Sequence, residues 1–441
     1  MQAGTSHVTL NRGLSTFSAA LFGLAYICPT VVISTFGVLA EDTHGAVATA
    51  YLIATAAILL TACSYARMAA RYPQAGSAYT YVSRTTNAAA GLLAGWVLVL
   101  DYFFVPMVIC LFTAKAVEVV LPDVSYRVWV ALIALATTAV NILGIKVANR
   151  VNLAIMVTQL AVIAALIVLC IVFLNAPTHD PNAWTFAPFM SAQTSLGTAM
   201  GGAAIAAYSF LGFDAVTTLS EETLDPTRSI PIATVFAAGA SGVIYIVTSC
   251  LMGLVHPNLN FHDIDNAGYE IVALVSGRAF PAIFAVVLIA FTASVMCAQA
   301  GSSRLLYAMG RDGVLPRPFA YLEPRFRTPV FNIGLMGLVM LVGEWIDVET
   351  AASCVNFGAF TAFLAVNLCV LVDHVGGRRE LPGGWIKLLQ AAAGAVAAAW
   401  LILSLRRTAL AVGLLWLGLG VVYWLVRTRG LSRPLATKSS T

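Results

Sequence analysis

Charge is what this chain has least of. Of its 441 residues only 10% are Asp, Glu, Lys or Arg, while 60% are hydrophobic, and soluble domains carry about a quarter charged residues. That balance excludes a soluble fold and gives an all-α polytopic membrane protein with the lipid bilayer as its surroundings. A formal net charge of +4 is too small and too scattered for a nucleic-acid-binding surface. Paired-cysteine motifs are also missing. The eight cysteines lie in or beside apolar runs with no CxxC and no Cys/His spacing, so they read as small core residues. All six histidines fall in polar segments or at span ends, which argues against a metal cluster and a buried histidine relay. No nucleophile stands with a base at useful spacing, so the pattern gives no enzyme. No cofactor, nucleic acid or obligate protein partner is expected. The first apolar run is longer than a signal-peptide core and has no convincing cleavage site, so it is expected to stay in the mature protein.

What is present is long hydrophobic runs. A spanning helix needs about 20 mainly apolar residues, and twelve stretches qualify: 14–40, 46–69, 88–114, 128–145, 151–174, 195–219, 232–254, 279–303, 329–346, 350–372, 385–404 and 409–426. Lys and Arg are enriched in cytoplasmic loops. With the N-terminus inside, 19 of the 24 Lys and Arg fall in inner segments, so both termini, 1–13 and 427–441, are expected in the cytoplasm of a cell-membrane protein. Arg406 and Arg407 violate that pattern. Gly197 and Gly201 form a small-xxx-small pair, expected to serve helix packing.

Two spans carry helix breakers. In the first, Pro29 follows Cys28 and lacks an N–H, and in the sixth Gly212 interrupts Tyr208-Ser209-Phe210-Leu211-Gly212-Phe213-Asp214. Breaks at matching places in two five-span halves, 14–174 and 195–372, point to an inverted-repeat transporter, with 385–426 peripheral. Simple kinks are the competing reading.

The loops add specificity. Arg71-Tyr72-Pro73-Gln74-Ala75-Gly76-Ser77-Ala78-Tyr79-Thr80-Tyr81 follows the second span, Ser220-Glu221-Glu222-Thr223-Leu224-Asp225-Pro226 the sixth, and Arg304 to Pro316 the eighth. In order and spacing these stretches resemble the inner-loop signatures of the amino acid-polyamine-organocation transporter superfamily. Within it, Gly95-Trp96, Leu100-Asp101-Tyr102 and Phe210 to Asp214 are most similar to bacterial putrescine importers. The resemblance implies twelve transmembrane helices in the leucine-transporter fold, a 5+5 inverted repeat plus two peripheral helices. It also implies alternating access by a permease for a small amine or amino acid.

Asp101 and Asp214 are the acids placed well inside apolar runs, with no Lys or Arg at comparable depth. Such a pair favours a cation, and either acid is a candidate proton carrier; local satisfaction by backbone donors is the competing reading. Aromatic residues accompany them: Tyr26, Tyr102, Phe103, Phe104, Tyr208, Phe210 and Phe213. An ammonium against an aromatic face gains about 0.5 to 2 kcal/mol. The resemblance implies that Tyr208 covers bound substrate and that Asp214 takes part in gating or proton sensing; for Tyr26 and Phe210 packing and ligand roles both stand. Ser209, Gly212, Cys28 and Thr30 complete the expected substrate site. Glu221 and Glu222 are expected to form gate ion pairs with basic inner loops, each contributing about 0 to 1 kcal/mol if exposed. For Arg311 and Asp312 a solvated turn is the plainer expectation.

Two departures from the superfamily pattern matter. Amino-acid carriers of the superfamily hold the substrate carboxylate on backbone N–H groups of a Gly-Ser-Gly break in span 1. This chain has Cys28-Pro29-Thr30 there, which points toward an amine without an α-carboxylate, such as putrescine. A cationic or neutral amino acid, or exchange between two substrates, remains the alternative, and a non-transporting nutrient sensor on the same fold is a reading of another class. Proton-driven relatives also place a Lys in span 5 where this chain has Gln159. Coupling is then expected through Asp101, Asp214 or a sodium ion, unless the carrier exchanges substrates or runs on the membrane potential.

Overall fold

Helices follow the apolar runs closely, and where they stop a specific residue stops them. A computed structural model of the chain describes residues 10, 12–177, 184–191, 193–345, 348–375 and 384–428. Its helices are α1 (Thr16–Ile27), α2 (Val31–Asp42), α3 (Val47–Arg71), α4 (Ser77–Thr85), α5 (Ala88–Val120), α6 (Tyr126–Ile142), α7 (Ile145–Leu174), α8 (Leu196–Ala206), α9 (Pro226–Val255), α10 (Ala267–Ser276), α11 (Phe280–Arg311), α12 (Val330–Val342), α13 (Val348–Val375), α14 (Gly384–Leu403) and α15 (Arg407–Arg427). Among the described residues nine helical stretches are long and apolar enough to cross a bilayer, the bent pair α1 and α2 makes a tenth, and the shorter apolar helices Tyr126–Ile142 and Val330–Trp345 fall on the other two expected spans. The twelve expected spans are therefore all helical. The far ends of the expected tails, 1–9 and 429–441, lie outside the described residues.

Two helices sit where loops were expected. Helix α4 is folded back against α5 and buries Tyr79 and Tyr81; Gly76 at φ 153° and Ser77 at φ 49° make the sharp entry. Helix α10 closes over α2 at the opposite end of the molecule. Because the connections alternate ends, α4 and the links after spans 4, 6, 8 and 10 share one face, here the α4 face. The other is the α10 face.

Span 1 breaks for the reason the sequence suggests. Pro29 disfavours a helical residue before it, and Cys28 takes up φ 56°, after which α2 departs at 44° from α1. Span 6 breaks at its centre. Helix α8, held by a capping box between Ser195 and Thr198, tightens into 3₁₀ turns at Ala207–Phe210. Gly212 at φ 106° then starts a second 3₁₀ stretch, Phe213–Leu219. A Cβ on Gly212 would lie 1.9 Å from Cδ1 of Tyr26, so the two breaks are pressed together.

The small-xxx-small expectation is not met. Gly201 has no neighbour within 4 Å of a would-be Cβ, and Gly197 meets only Ser195; the close packing falls on Gly202, against Thr43 and Ala50. The peripheral pair α14 and α15 packs on α3, α5 and α13. Trp96 and Trp416 stack at 5.0 Å between ring centroids and exchange indole N–H bonds to each other's carbonyls at 2.9 and 2.8 Å. All eight cysteines are free.

Candidate functional site

The two breaks and the middles of α5 and α11 converge. Asp214 is the first polar side chain after Gly212 and is 1% exposed. The Tyr102 hydroxyl donates to its Oδ2 at 2.9 Å, while Oδ1 is buried with no partner among the described residues. Asp101, one residue before Tyr102, is 3% exposed and sits against α13, where a Cβ on Gly358 would lie 3.1 Å from its own. Neither carboxylate meets a Lys or Arg among the described residues. The protein thus holds two acids in its centre with no basic partner among the described residues, although the Ser77 hydroxyl and the N–H groups of Asp214 and Ala215 also approach the Asp214 carboxylate; two charges so placed are costly at bilayer depth unless a cation or proton joins them.

Tyrosines frame this centre. The Tyr26 and Tyr102 rings both touch the position of Gly301 on α11, at 3.4 and 3.6 Å from a would-be Cβ. Ser294 Oγ donates to the Tyr26 carbonyl at 2.6 Å, and Ser302 Oγ donates to that of Tyr102. Helix α11 therefore fixes the backbone of spans 1 and 3 beside the acids.

Other expected site residues are turned to structural use. Gln159 on α7 donates to Thr30 Oγ1 at 3.2 Å and to Cys28 Sγ at 3.4 Å, so these three side chains clamp the span 1 break to α7. Ser209 Oγ is bonded to the Tyr51 hydroxyl at 3.1 Å, which continues to Thr35 at 2.7 Å. The Tyr245 hydroxyl on α9 donates to the Ser209 carbonyl at 2.8 Å and to the Ile27 carbonyl at 3.4 Å. One hydroxyl thus reaches a loose carbonyl at each break. Phe210 packs edge-on against Tyr245 at 5.1 Å and is fully buried. At the span 1 break the N–H groups of Cys28, Val31 and Ile33 are bonded to Leu24, Cys28 and Thr30 carbonyls, and Pro29 has none to offer.

Each face carries a vestibule, and neither is lined by Asp101 or Asp214. A 690 Å³ vestibule, lined by Asp42, Gly201, Tyr208, Asn356 and Arg406, opens at the α10 face. Tyr208, half-buried, stacks on Phe360 at 5.7 Å, two residues along α13 from Gly358, which sits against Asp101. On the α4 face a basic pocket of 900 Å³, lined by Arg12, Arg71, Gln74, Arg84, Glu221 and Arg311, is shut off by a layer of contacts. Glu222 grips Arg304 through Nε and through Nη2 at 3.1 Å, and Arg304 Nη1 donates to the Ala300 carbonyl at 2.8 Å. Glu221 binds Arg311 at 2.6 Å and accepts from the Ala75 N–H at 3.0 Å. The Gly13 and Leu14 N–H groups donate to the Glu222 carbonyl. Tyr79 donates to Asp312 at 3.1 Å; burial, then the Asp312 carboxylate, pushes its phenol above the usual range, so it remains a donor.

Three expectations are corrected here. The Glu222 pair is buried, at 1% and 5% side-chain exposure, so it is not an exposed loop pair. Arg304 lies inside α11 rather than in a loop, because that helix runs a further two turns past the apolar run. Arg311 and Asp312 are not a solvated turn but members of the same ion-pair layer. Tyr51, Tyr65 and Tyr245 were not singled out by the sequence; the available signal was a lone phenol in an otherwise apolar span.

Comparison with known proteins agrees with this geometry. A family model described as amino acid permease matches residues 19–423. The chain is 34% identical to the low-affinity putrescine importer PlaP of Escherichia coli (strain K12), over 98% of this chain and 97% of that one. It is 26% identical to the branched-chain amino acid permease BcaP of Bacillus subtilis (strain 168), over 84% and 82% of the two chains. It is 27% identical to the methylthioribose transporter of the same organism, over 84% and 83%.

Proposed function

The chain belongs to the amino acid permease family, and from that premise we propose that it imports a small organic amine, putrescine-like, by alternating access. It is a multi-pass membrane transporter with the leucine-transporter fold of its family. We take the α4 face as cytoplasmic, with both termini on that side of the cell membrane, and 14–174 and 195–372 as the two repeats. The observation that carries the substrate is the pair Asp101 and Asp214, both buried and neither matched by a described Lys or Arg. In a low-dielectric centre two uncompensated carboxylates attract a cation strongly, and a diamine brings two ammonium groups to two acids. Tyr26 and Tyr102 offer ring faces to the chain between them. The N–H groups of Cys28, Val31 and Ile33 at the span 1 break are already bonded and Pro29 has none, which reduces the provision for an α-carboxylate and supports an amine over an amino acid.

In this reading the structure is the state closed to the cytoplasm. Substrate enters from the α10 face past Tyr208, which acts as the lid. Release requires the Glu222–Arg304 and Glu221–Arg311 layer to part. Uptake of labelled putrescine into proteoliposomes, with amino acids as competitors, tests this directly. Asp101→Asn and Asp214→Asn should each reduce putrescine uptake by about tenfold or more, since a lost charge pair in such a site is worth at least about 1.4 kcal/mol. Wild-type uptake in both variants, or a wild-type protein that moves amino acids and no amine, overturns the reading.

A further inference from the structure

On the α4 side of Asp214 lies a group of polar atoms that the substrate site does not use. Tyr65 on α3, and Ser77 and Tyr81 on α4, are fully buried or nearly so, and their hydroxyl oxygens, like Asp214 Oδ1, have no hydrogen-bond partner among the described residues. Thr80, the next turn of α4 after Ser77, is in the same condition. They belong together in space. The Tyr65 ring stands 6.0 Å from Tyr81 and 5.6 Å from Phe213, the neighbour of Asp214. Ser77 Oγ is within hydrogen-bonding reach of both the Asp214 carboxylate and the Tyr65 hydroxyl, and Tyr81 of Thr217, short of the geometry of a full bond. Ser77 is held there at φ 49°, a conformation that costs a non-glycine residue and persists where surrounding structure enforces it.

Buried polar atoms in native proteins are nearly always hydrogen-bonded, to protein or to ordered water. Five atoms held short of a full bond in one place, one of them a carboxylate oxygen, mark a spot where hydrogen bonds can be exchanged. The chain leads from the cluster toward solvent: Gln74, three residues before Ser77, lines the basic pocket of the α4 face. We propose that Asp214 Oδ1, Ser77, Tyr65 and Tyr81 form a hydroxyl relay that carries a proton between Asp214 and the α4 face while the Glu222–Arg304 layer is shut. The inference rests on the transporter reading and adds to it the coupling ion and its route.

The transfer balances without any further reactant. The Asp214 O–H bond breaks as a new O–H forms on the neighbouring hydroxyl oxygen, whose own proton passes to the next acceptor and finally to water in the α4-face pocket. Each hydroxyl ends with one proton, and the negative charge stays on Asp214, free to hold an ammonium. The groups facing Asp214 set when this happens: Asp101 and Tyr102 on α5, Tyr26 on α1, Tyr65 on α3 and Tyr81 on α4. Helix α11 adds Cys297 and, further along, Arg304, which Glu222 holds. An ammonium arriving beside the two acids displaces the proton into the relay.

Two measurements test this on the full chain. In proteoliposomes, Tyr65→Phe, Ser77→Ala and Tyr81→Phe should keep amine-for-amine exchange, while accumulation driven by an acid-outside pH gradient falls by about tenfold. Accumulation at wild-type level in all three, or accumulation driven by a sodium gradient without a pH gradient, overturns the relay. Infrared spectroscopy needs no substrate. A protonated-carboxyl band that is absent from Asp214→Asn should shift in heavy water about tenfold more slowly in the three variants. No such band, or unchanged exchange in all three, also overturns it. Failure of amine exchange in the wild type would count against the substrate assignment alone, and the infrared result would then decide the relay.

Discussion

Replacing Glu222 by Gln should open the α4 face. Arg304 is 5% exposed, and two of its nitrogens are held by Glu222 while a third donates to Ala300. Removing one partner of a buried pair costs about 3 to 5 kcal/mol, because the other charge is left buried and unpaired. In the open state both groups meet water, so the penalty falls on the closed state. About 3 kcal/mol shifts the closed-to-open ratio by roughly 10². Cys297, on the same helix as Arg304, reports this shift. It is 1% exposed, and its thiol donates to Asn152 at 3.5 Å beneath the closed gate. In a chain that keeps Cys297 and lacks the other seven cysteines, an impermeant maleimide applied from the α4 side should label Glu222→Gln about a hundredfold faster than the parent. The double variant Glu222→Gln with Arg304→Gln removes both charges and should return to within about fivefold of the parent, since loss of a whole buried pair is often near neutral. Parental labelling in the single variant, or a double variant as reactive as the single, would refute the reasoning. Circular dichroism and size-exclusion profiles separate gate opening from unfolding.

Other positions give simpler outcomes. Gly212→Ala adds a methyl 1.9 Å from the Tyr26 ring at a φ of 106°. Left-handed strain of about 1 to 2 kcal/mol and overpacking of about 1 to 3 should lower the melting temperature and abolish uptake. Gly201→Ala, with open space around it, should be neutral or stabilising by up to about 1 kcal/mol, and the two melting curves compare directly. Tyr245→Phe leaves two carbonyls at the breaks without their donor, so about 1 to 3 kcal/mol of local stability should go, read as faster amide exchange near Ile27 and Ser209. Gln159→Leu removes the donor to Cys28 and Thr30. Alkylation of Cys28 in a chain retaining only that cysteine should then accelerate, and an unchanged rate would show that α7 does not clamp the break.

Periodicity and hydropathy carried the architecture. A run of about 20 apolar residues must satisfy its backbone internally in lipid, so it becomes a helix whatever its neighbours do; this is why all twelve spans were readable. Pro29 and Gly212 were readable for an equally local reason, since one lacks a donor and the other tolerates positive φ. Asp101 and Asp214 stood out because carboxylates are scarce in such runs. What the sequence left open depends on which helices meet. Gln159 with Cys28, Tyr245 with both breaks, and Glu222 with Arg304 join residues 36 to 218 positions apart, and no local rule links them. The choice of Gly202 over Gly201 for packing turned on one step of helix rotation. Local chemistry thus determined where helices form, break and hold charge. Only tertiary packing decided which of those charges are paired and which are buried with no basic partner among the described residues.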